Sequence, residues 1–588
     1  MKQYWTVKNK KDNFNEICKE QGITEVTARL LVNRGLTTKQ ERDAFLHPSF
    51  SCLPEAGLLL NAVRGASLIA KGIQSRKKFR IIGDYDVDGI MSVYILYRCM
   101  SAAGANVDYR IPDRIKDGYG LNEEMVQECI AAGIEIIVTC DNGIAAMEPI
   151  RLAKEAGITV VLTDHHEIPL LETPEGLIKT MPAADVIINP KQEGETTPMT
   201  GICGAVVVYK VMCCLAEQLG LPEDLLKSML PYAAMATVCD VMELRGENRT
   251  LVALGLQLMR DSKDIGLNAL IEENQIKKEN LSVYHMGFVL GPCLNASGRL
   301  DVAVKGLQLL LSDNGAEAAV QAREITELNR VRKDMTAKGV EEAKQQVLES
   351  GDDIPPVLVV YLPECHESLA GIIAGRIREA FYRPTIILTD AEEGIKGSGR
   401  SVDGYHMYEK LCEVQDLLTK FGGHPKAAGM SLPKENLEEF RRRLVENCAL
   451  TEEDLTEKVS IDVILPFGLV TEQVISELKL LEPFGVGNEK PLFAERNLKL
   501  NGARILGKNS NVLKLNAENE YGKQFDVMFF GDIEEFEKEI TGHFGKDALD
   551  KLFQGRENNI RMNMIYYPET NEFRDKVTLQ AIMQYYKF

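Results

Sequence analysis

The chain has 588 residues, too many for one hydrophobic core and enough for three or four domains. Its 45% hydrophobic and 26% charged residues are those of an ordinary globular protein. A net charge of −19 excludes a uniformly basic nucleic-acid coat, although carboxylates gathered around metals would leave room for a locally basic channel. No run of about 18 apolar residues occurs, so no membrane span is expected, and the opening MKQYWTVKNKKDNF lacks the apolar centre of a secretory leader. Thirteen cysteines, odd in number and without a CxxC pair, read as reduced thiols of a cytosolic protein.

Residues 1–50 read as a short helical lead-in without legible chemistry. From Lys77 onward, apolar strands at Phe79–Ile82, Val107–Ile111, Ile134–Cys140, Ile158–Leu162 and Val186–Ile188 alternate with helical spacing at Asn122–Ala132 and Ala145–Ala156. That rhythm predicts an α/β domain with a parallel sheet covered on both faces. Its chemistry sits where strands end. Asp84-Tyr85-Asp86-Val87-Asp88-Gly89 places three carboxylates after the first strand, and such mutual repulsion is relieved by a cation with oxygen ligands, Mg²⁺ or Mn²⁺. Cys140-Asp141-Asn142-Gly143, Asp164-His165-His166 and Val238-Cys239-Asp240 follow. Singly these are caps or surface loops; together they form a ligand set suited to two Mn²⁺ ions.

Residues 306–350, rich in Ala, Glu, Lys and Gln, read as one long helix. About 34 residues would span roughly 50 Å, the length of a domain connector. A smaller α/β unit then opens with the strand Pro356–Tyr361. It carries His366-Glu367-Ser368, the small-residue stretch Lys396-Gly397-Ser398-Gly399-Arg400-Ser401 and the loop Gly422-Gly423-His424-Pro425-Lys426. Glycine lets a backbone approach phosphate and arginine clamps it, with His424 and Lys426 as further polar members; two plain glycine turns are the alternative. A Gly/Pro-rich hinge at 481–493 leads into short alternating strands such as Val512–Leu515 and Asp526–Phe530. Five cations (Arg496, Lys499, Arg504, Lys508, Lys514) occur between Arg496 and Asn516 with no acid among them. They mark either a single-strand-binding groove or a solvated β-ribbon.

The motifs DYDVDG, CDNG, Asp164-His165-His166 and VCDV resemble, in order and spacing, the metal motifs of the DHH phosphoesterase superfamily. With Gly291-Pro292-Cys293-Leu294-Asn295-Ala296-Ser297-Gly298-Arg299 and FGGHPKAAG, nearly the whole chain resembles the RecJ family of single-strand-specific 5′→3′ DNA exonucleases. The resemblance implies a parallel-sheet DHH domain (51–305), a connecting helix (306–350), a DHHA1 domain (351–450) and an OB-like β-barrel domain (455–588). It puts two Mn²⁺ or Mg²⁺ ions on Asp84, Asp86, Asp88, Asp141, His165 and Asp240, with Asp141 bridging. His166 would face the scissile phosphate, Asp164 would orient an imidazole, and Arg299 with Asn295 would neutralise transition-state charge. Arg114, Ser398 and Arg400 would hold a terminal 5′-phosphate, with His424 and Lys426 beside them and Arg504 and Lys508 on the barrel. Single-stranded DNA is the implied partner, single-strand-binding protein and a helicase are candidates, and a cytoplasmic monomer is expected. Two alternatives stand: a phosphodiesterase of short oligoribonucleotides or cyclic dinucleotides, disfavoured by the C-terminal domain, and a non-catalytic scaffold, disfavoured by the intact acids and histidines.

Overall fold

The computed structural model of the chain describes residues 3–114, 116–118, 120–173, 176–349, 351, 354–507, 510–573 and 576–588. Five strands form a wholly parallel sheet in the order Asn106–Arg110, Lys78–Ile82, Ile136–Cys140, Thr159–Thr163, Val186–Ile188. Their apolar side chains alternate between two cores, as a doubly covered sheet requires. Phe79 and Ile81 face helices Ala62–Gln74, Val87–Ala102 and Gly204–Leu219, while Ile82 and Ile137 face Glu123–Ala131 and Met147–Glu155. In chain order this is a 2-1-3-4-5 sheet, whose direction of winding reverses between the first and third strands. Ligand sites of open α/β sheets lie at the carboxyl ends of strands flanking such a reversal. The loops there carry Asp84–Asp88 and Asp141.

The connector departs from the expected single helix over 306–350. Residues 306–311 belong to a separate helix, Val304–Leu311, whose Leu307, Leu309 and Leu310 join the first core. The connector proper is Gly315–Leu348, started by Asn314, whose side chain accepts from the Ala316 and Glu317 N–H groups. Its 34 residues extend about 50 Å. Ala318, Ala322 and Ile325 pack on the first domain, and Ala343 and Val347 on the second.

The second lobe is a five-stranded mixed sheet ordered Lys420–His424, Ala427–Leu432, Ile395–Arg400, Thr385–Asp390, Leu358–Tyr361. Lys396–Arg400, expected as a loop, is an inner strand bonded on both sides, and the glycine loop at 422–426 is a hairpin with Pro425-Lys426 at its tip. Glycine serves packing here: a Cβ at Gly397 would stand 2.3 Å from Leu388 Cδ2, and one at Gly399 2.9 Å from Met407 Sδ.

The C-terminal domain is a closed barrel of Phe493–Leu506, Val512–Glu518, Gln524–Phe529, Lys576–Lys587 and Arg561–Phe573, which pairs back with Phe493–Leu506. The N-terminal segment is part of it. Gln3–Val7 pairs in parallel with Glu457–Ile461, and Ile17, Leu30, Leu31 and Phe45 share the barrel's core. Residues 481–493, expected as a hinge, are pinned to the first domain: Leu244 N–H donates to Val486 O (2.7 Å) and Arg245 Nε to Gly487 O (2.9 Å). Gly487 has φ +74°, and a Cβ there would lie 3.0 Å from Arg245 Nε. Arg249 bolts the junction. Buried to 1% exposure, it donates to the carbonyls of Phe45 (2.5 Å), Leu480 (2.9 Å) and Glu482 (2.7 Å) and lies over the Phe45 ring. Among the described residues no single helix is long and apolar enough to cross a membrane, and all thirteen cysteines are free.

Candidate metal centre and interlobe cleft

The three carboxylates after strand Lys78–Ile82 have different local duties. Asp86 caps helix Val87–Ala102 by accepting the Gly89 N–H (3.1 Å). Asp88, in the first turn of that helix, accepts the N–H groups of Gly204 and Ala205, both at 2.7 Å. It thus sits on the positive end of a 16-residue helix, Gly204–Leu219. Asp84 is buried, and its Oδ1 has no hydrogen-bond partner among the described residues.

Asp141 takes a left-handed backbone, φ 60°, unusual outside glycine but tolerated by Asp. Its N–H donates to Thr163 O at the end of the next strand (3.1 Å). Asn142 ties this loop down from inside, donating to Ile82 O (3.0 Å) and Cys140 O (2.9 Å) while accepting the Leu121 N–H (3.2 Å). His165 Nε2 lies 3.1 Å from Asp141 Oδ1 and 3.6 Å from both Asp88 Oδ2 and Asp240 Oδ2. Asp240 caps the carboxyl end of helix Glu223–Cys239, and its Oδ2 is buried without a hydrogen-bond partner among the described residues.

Ligand atoms of Asp84, Asp86 and Asp141 fall within 4.8 Å of one another, as do those of Asp88, His165 and Asp240 and those of Asp141, His165 and His166. The six residues expected as ligands therefore converge into two adjoining clusters, joined by the third grouping, which takes Asp141 from one and His165 from the other. Burial and then Asp86 push the Asp84 carboxyl up to about 8; burial and then Asp88 and Asp86 push Asp240 to about 8. Burial followed by Asp88, Asp86 and Asp84 holds Asp141 well above the carboxylate range. Carboxylate oxygens with one or two imidazoles, buried against like charge and with oxygen atoms lacking donors, fit divalent Mn²⁺ or Mg²⁺.

Asp164 does not point at the clusters' centre. It accepts the backbone N–H groups of His165 (2.7 Å), His166 (3.1 Å) and Ile144 (2.9 Å), and the His166 Nδ1–H (2.7 Å). Burial opposes its ionisation, but the hydrogen bond and charge of His166 prevail and leave it below the ordinary value. The imidazole that it orients is thus His166. Burial depresses His165; for His166 burial is the largest influence, but the bond to Asp164 together with the charges of Asp164, Asp240 and Asp88 raises it.

Facing this centre is a cavity of about 430 Å³ between the lobes. Arg114 and Arg299 line it from the first domain, Ser398 and Arg400 from the second. Arg114 lies over the Tyr85 ring, 5.0 Å from its centroid. Arg299 reaches across to donate to Ser368 O (2.6 Å), and burial followed by Arg114 and Arg332 lowers it to about 10. Arg400 donates to Ser398 Oγ (3.0 Å) and Gly399 O (2.8 Å). Asn295, one turn before Arg299 on helix Gly291–Leu300, is half-buried and outside the lining of this cavity. His424 is exposed at a strand end, and Lys426 is ion-paired with Asp403. On the barrel, Arg504 is exposed opposite Lys514, which is paired with Asp526 at 2.7 Å; Lys508 lies outside the described residues.

Sequence reasoning does not single out Asn142, Gly204 or Ala205. Asn142 lies inside the CDNG motif, and Gly204 opens an apolar helix, but only the fold shows what they hold. A Cβ at Gly204 would stand 2.7 Å from Asp141 Cβ.

The comparisons with known proteins agree along the whole chain. Family models match residues 78–237 (DHH family, N-terminal domain), 355–449 (DHHA1 domain) and 461–585 (RecJ OB domain). The chain is 35% identical to the single-stranded-DNA-specific exonuclease RecJ of Bacillus subtilis, over 91% of this chain and 67% of that one. It is 32% identical to the protein of the same name from Dickeya dadantii, over 95% of both. The RecJ of Thermus thermophilus in complex with Mn²⁺ superposes with a TM-score of 0.81 at 27% identity, covering 100% of this chain and 80% of that one. Its Mg²⁺ complex superposes at 0.76 and 25% identity, with 100% and 79% covered. With three domain models in register and 32% identity over 95% of both this chain and the Dickeya protein, the chain belongs to the RecJ family.

Proposed function

We propose that the chain is a metal-dependent exonuclease that hydrolyses single-stranded DNA from its 5′ end, in DNA repair and recombination. The observation that carries this reading is the meeting of the two carboxylate clusters with the Arg114/Arg299/Ser398/Arg400 cavity across one cleft. Asp84, Asp86, Asp88, Asp141, His165 and Asp240 would hold two divalent ions, Mn²⁺ or Mg²⁺, which when bound would supply an activated water and neutralise charge on the attacked phosphate. The chain's own groups do the rest. Asp164 fixes His166 through its Nδ1, and the imidazole can stabilise the phosphate or give a proton to the leaving oxygen. Arg299, fixed at 2.6 Å to Ser368 O, holds positive charge beside it.

Polarity follows from what the cavity recognises. A terminal phosphate is dianionic and an internal phosphodiester is not, so a pocket of guanidinium groups and a hydroxyl selects the end. Arg114, Ser398 and Arg400 make that pocket, and the next phosphodiester would then lie over the carboxylates. Single-strand-binding protein and a helicase remain the expected suppliers of substrate, a monomer the expected state, and the cytoplasm, given free thiols, the expected place.

The test uses 3′-labelled DNA carrying a 5′-phosphate or a 5′-hydroxyl, and the same strand in RNA, each with Mn²⁺ and with EDTA. Stepwise loss of 5′ nucleotides from DNA, only with metal, is expected. Arg400→Ala should weaken the preference for phosphate by about 1.5–3 kcal/mol, the worth of a hydrogen bond to a charged group. A full phosphate preference in Arg400→Ala would place the pocket elsewhere.

A further inference from the structure

The strand Ile395–Arg400 presents Lys396, Ser398 and Arg400 on one face, while Ile395, Gly397 and Gly399 face the lobe's core. Strand register extends each of the three into a rank across the sheet. Arg400 stands beside Ala427 and His424; Ser398 beside Gly429 and Gly422; Lys396 beside Ser431 and Lys420. The middle rank is a trough. A Cβ at Gly422 would meet nothing within 4 Å, and one at Gly429 only a backbone oxygen at 4.0 Å. The outer ranks are cationic on both banks.

The Lys396 rank lies two ranks, roughly 7 Å each, from the Arg400 rank. The same cavity nevertheless reaches it, since Lys396 and Ser431 line it together with Arg114, Ser398 and Arg400. At about 430 Å³ the cavity exceeds what one phosphate fills, a group that displaces only a few waters of roughly 30 Å³ each.

Lys396 is held there by Glu367, also in the lining, at 3.1 Å. Both are partly exposed, so this ion pair is weak and exchangeable. Helix Ala370–Phe381 begins alongside, and its Gly371 leaves the space clear: a Cβ would lie 2.8 Å from Arg400 Nη2 and 3.0 Å from Ser398 Oγ. We propose that the cavity is an extended polyanion site, in which Arg400, Ser398 and Arg114 hold the first phosphate of a 5′ end. Lys396, with Ser431 and Lys420, holds the further phosphates of a 5′-diphosphate or 5′-triphosphate end. Glu367 occupies Lys396 until such an end displaces it. The enzyme thereby accepts single strands that begin with a polyphosphate, as polymerase-initiated strands do, without prior trimming to a monophosphate. The inference rests on the reading of Ser398 and Arg400 as the cradle of the terminal phosphate.

The experiment measures binding of 3′-fluorescent single strands with 5′-hydroxyl, monophosphate, diphosphate and triphosphate ends to the full chain in EDTA, where no strand is cut. Expected is a step of tenfold or more from hydroxyl to monophosphate, and a second step of at least threefold from monophosphate to triphosphate. Lys396→Ala should remove the second step alone, and Glu367→Gln should enlarge it. The inference is overturned if triphosphate ends bind no better than monophosphate ends, or if the second step survives in Lys396→Ala and Lys396→Glu. The cradle itself is tested separately by Arg400→Ala: loss of the first step supports it, whereas retention removes the basis of both readings. Melting temperatures of the variants, expected unchanged because Lys396 and Glu367 are partly exposed, distinguish a lost contact from a lost fold.

Discussion

The two walls of the cleft are opposite in charge and alike in being unbalanced. On one, Asp84, Asp86, Asp88, Asp141 and Asp240 crowd together with the imidazoles of His165 and His166. On the other, Arg299 and Arg400 are bonded to carbonyl and hydroxyl oxygens and make no ion pair among the described residues. A protein that needed only stability would have paired these groups with each other, because unpaired buried charge is costly. On the proposed function each wall waits for something that arrives: on the acidic side a divalent cation, which displaces the protons that Asp84 and Asp240 otherwise hold near pH 7, and on the basic side a phosphate. The walls also differ in how they are held. The acids are fixed by backbone N–H groups at helix ends, such as Gly204 and Ala205 on Asp88, whereas the guanidinium groups rest on carbonyls of the opposite lobe or of their own strand.

The largest effect should come from the acidic wall. Asp141 belongs to two of the three ligand groupings, so Asp141→Ala is expected to abolish cleavage and remove tight Mn²⁺ binding, with folding intact. Calorimetric titration with two ions still bound, alongside near-normal turnover, would refute its central place. One step smaller is Gly204→Ala. It leaves every ligand in place but pushes a Cβ to 2.7 Å from Asp141 Cβ. A loss of about 10–100-fold in metal affinity is expected, as for other groups that orient ligands, and Ser in place of Gly should do no better. Unchanged affinity would show that the helix end tolerates a methyl group by moving.

Acidity sharpens the same contrast. Asp84 and Asp240 titrate near 8 in the metal-free protein against about 4 in the unfolded chain. Their folded values are raised, so the metal-free fold binds more protons than the unfolded chain between roughly pH 4 and 8, and these groups weaken it as pH rises through that window. The metal-free protein should therefore melt at lower temperature at pH 8.5 than at pH 6.5. Mn²⁺ should reverse the difference, and its binding near pH 7 should release protons, visible as a buffer-dependent heat. A melting temperature that rises with pH in EDTA would contradict the repulsion.

How much of this was legible depended on whether the signal was local. Asp84–Asp88, Asp141, Asp164–His166 and Asp240 each follow an apolar strand or helix within a few residues, and the sheet could be read from the alternation around them. The second lobe was harder. Lys396–Arg400 has glycines at every second position, which reads as a loop until the register shows Gly397 and Gly399 packed on Leu388 and Met407. The placement of residues 3–46 was not local at all: Leu30 and Leu31 bury themselves against a barrel more than 400 residues away in the chain. Arg249 is the clearest case. In sequence it is one arginine of an amphipathic helix, and nothing nearby shows that three carbonyls from two distant segments converge on it.

The smallest effect separates the buried guanidinium groups of the cleft from the exposed ones of the barrel. The run from Arg496 to Lys514 has no acid of its own, yet folding supplies some: Asp526 pairs with Lys514 at 2.7 Å, and Glu518 stands opposite Lys499. Arg504 is exposed on Phe493–Leu506 and makes no ion pair among the described residues, so its charge remains for a phosphate backbone. A solvated contact of this kind acts mainly by releasing counterions, worth a slope of roughly 0.7 in the logarithm of affinity against the logarithm of salt for single strands. Arg504→Gln is therefore expected to weaken binding of long single strands about threefold at low salt, to flatten the salt dependence by that amount, and to leave short oligonucleotides unaffected, since these need not reach the barrel. Arg400→Ala should show the reverse pattern: a larger loss, dependent on the 5′ end and present at every strand length. If Arg504→Gln harms short and long strands equally, the barrel's cations act through the fold, and the division of labour between cleft and barrel fails.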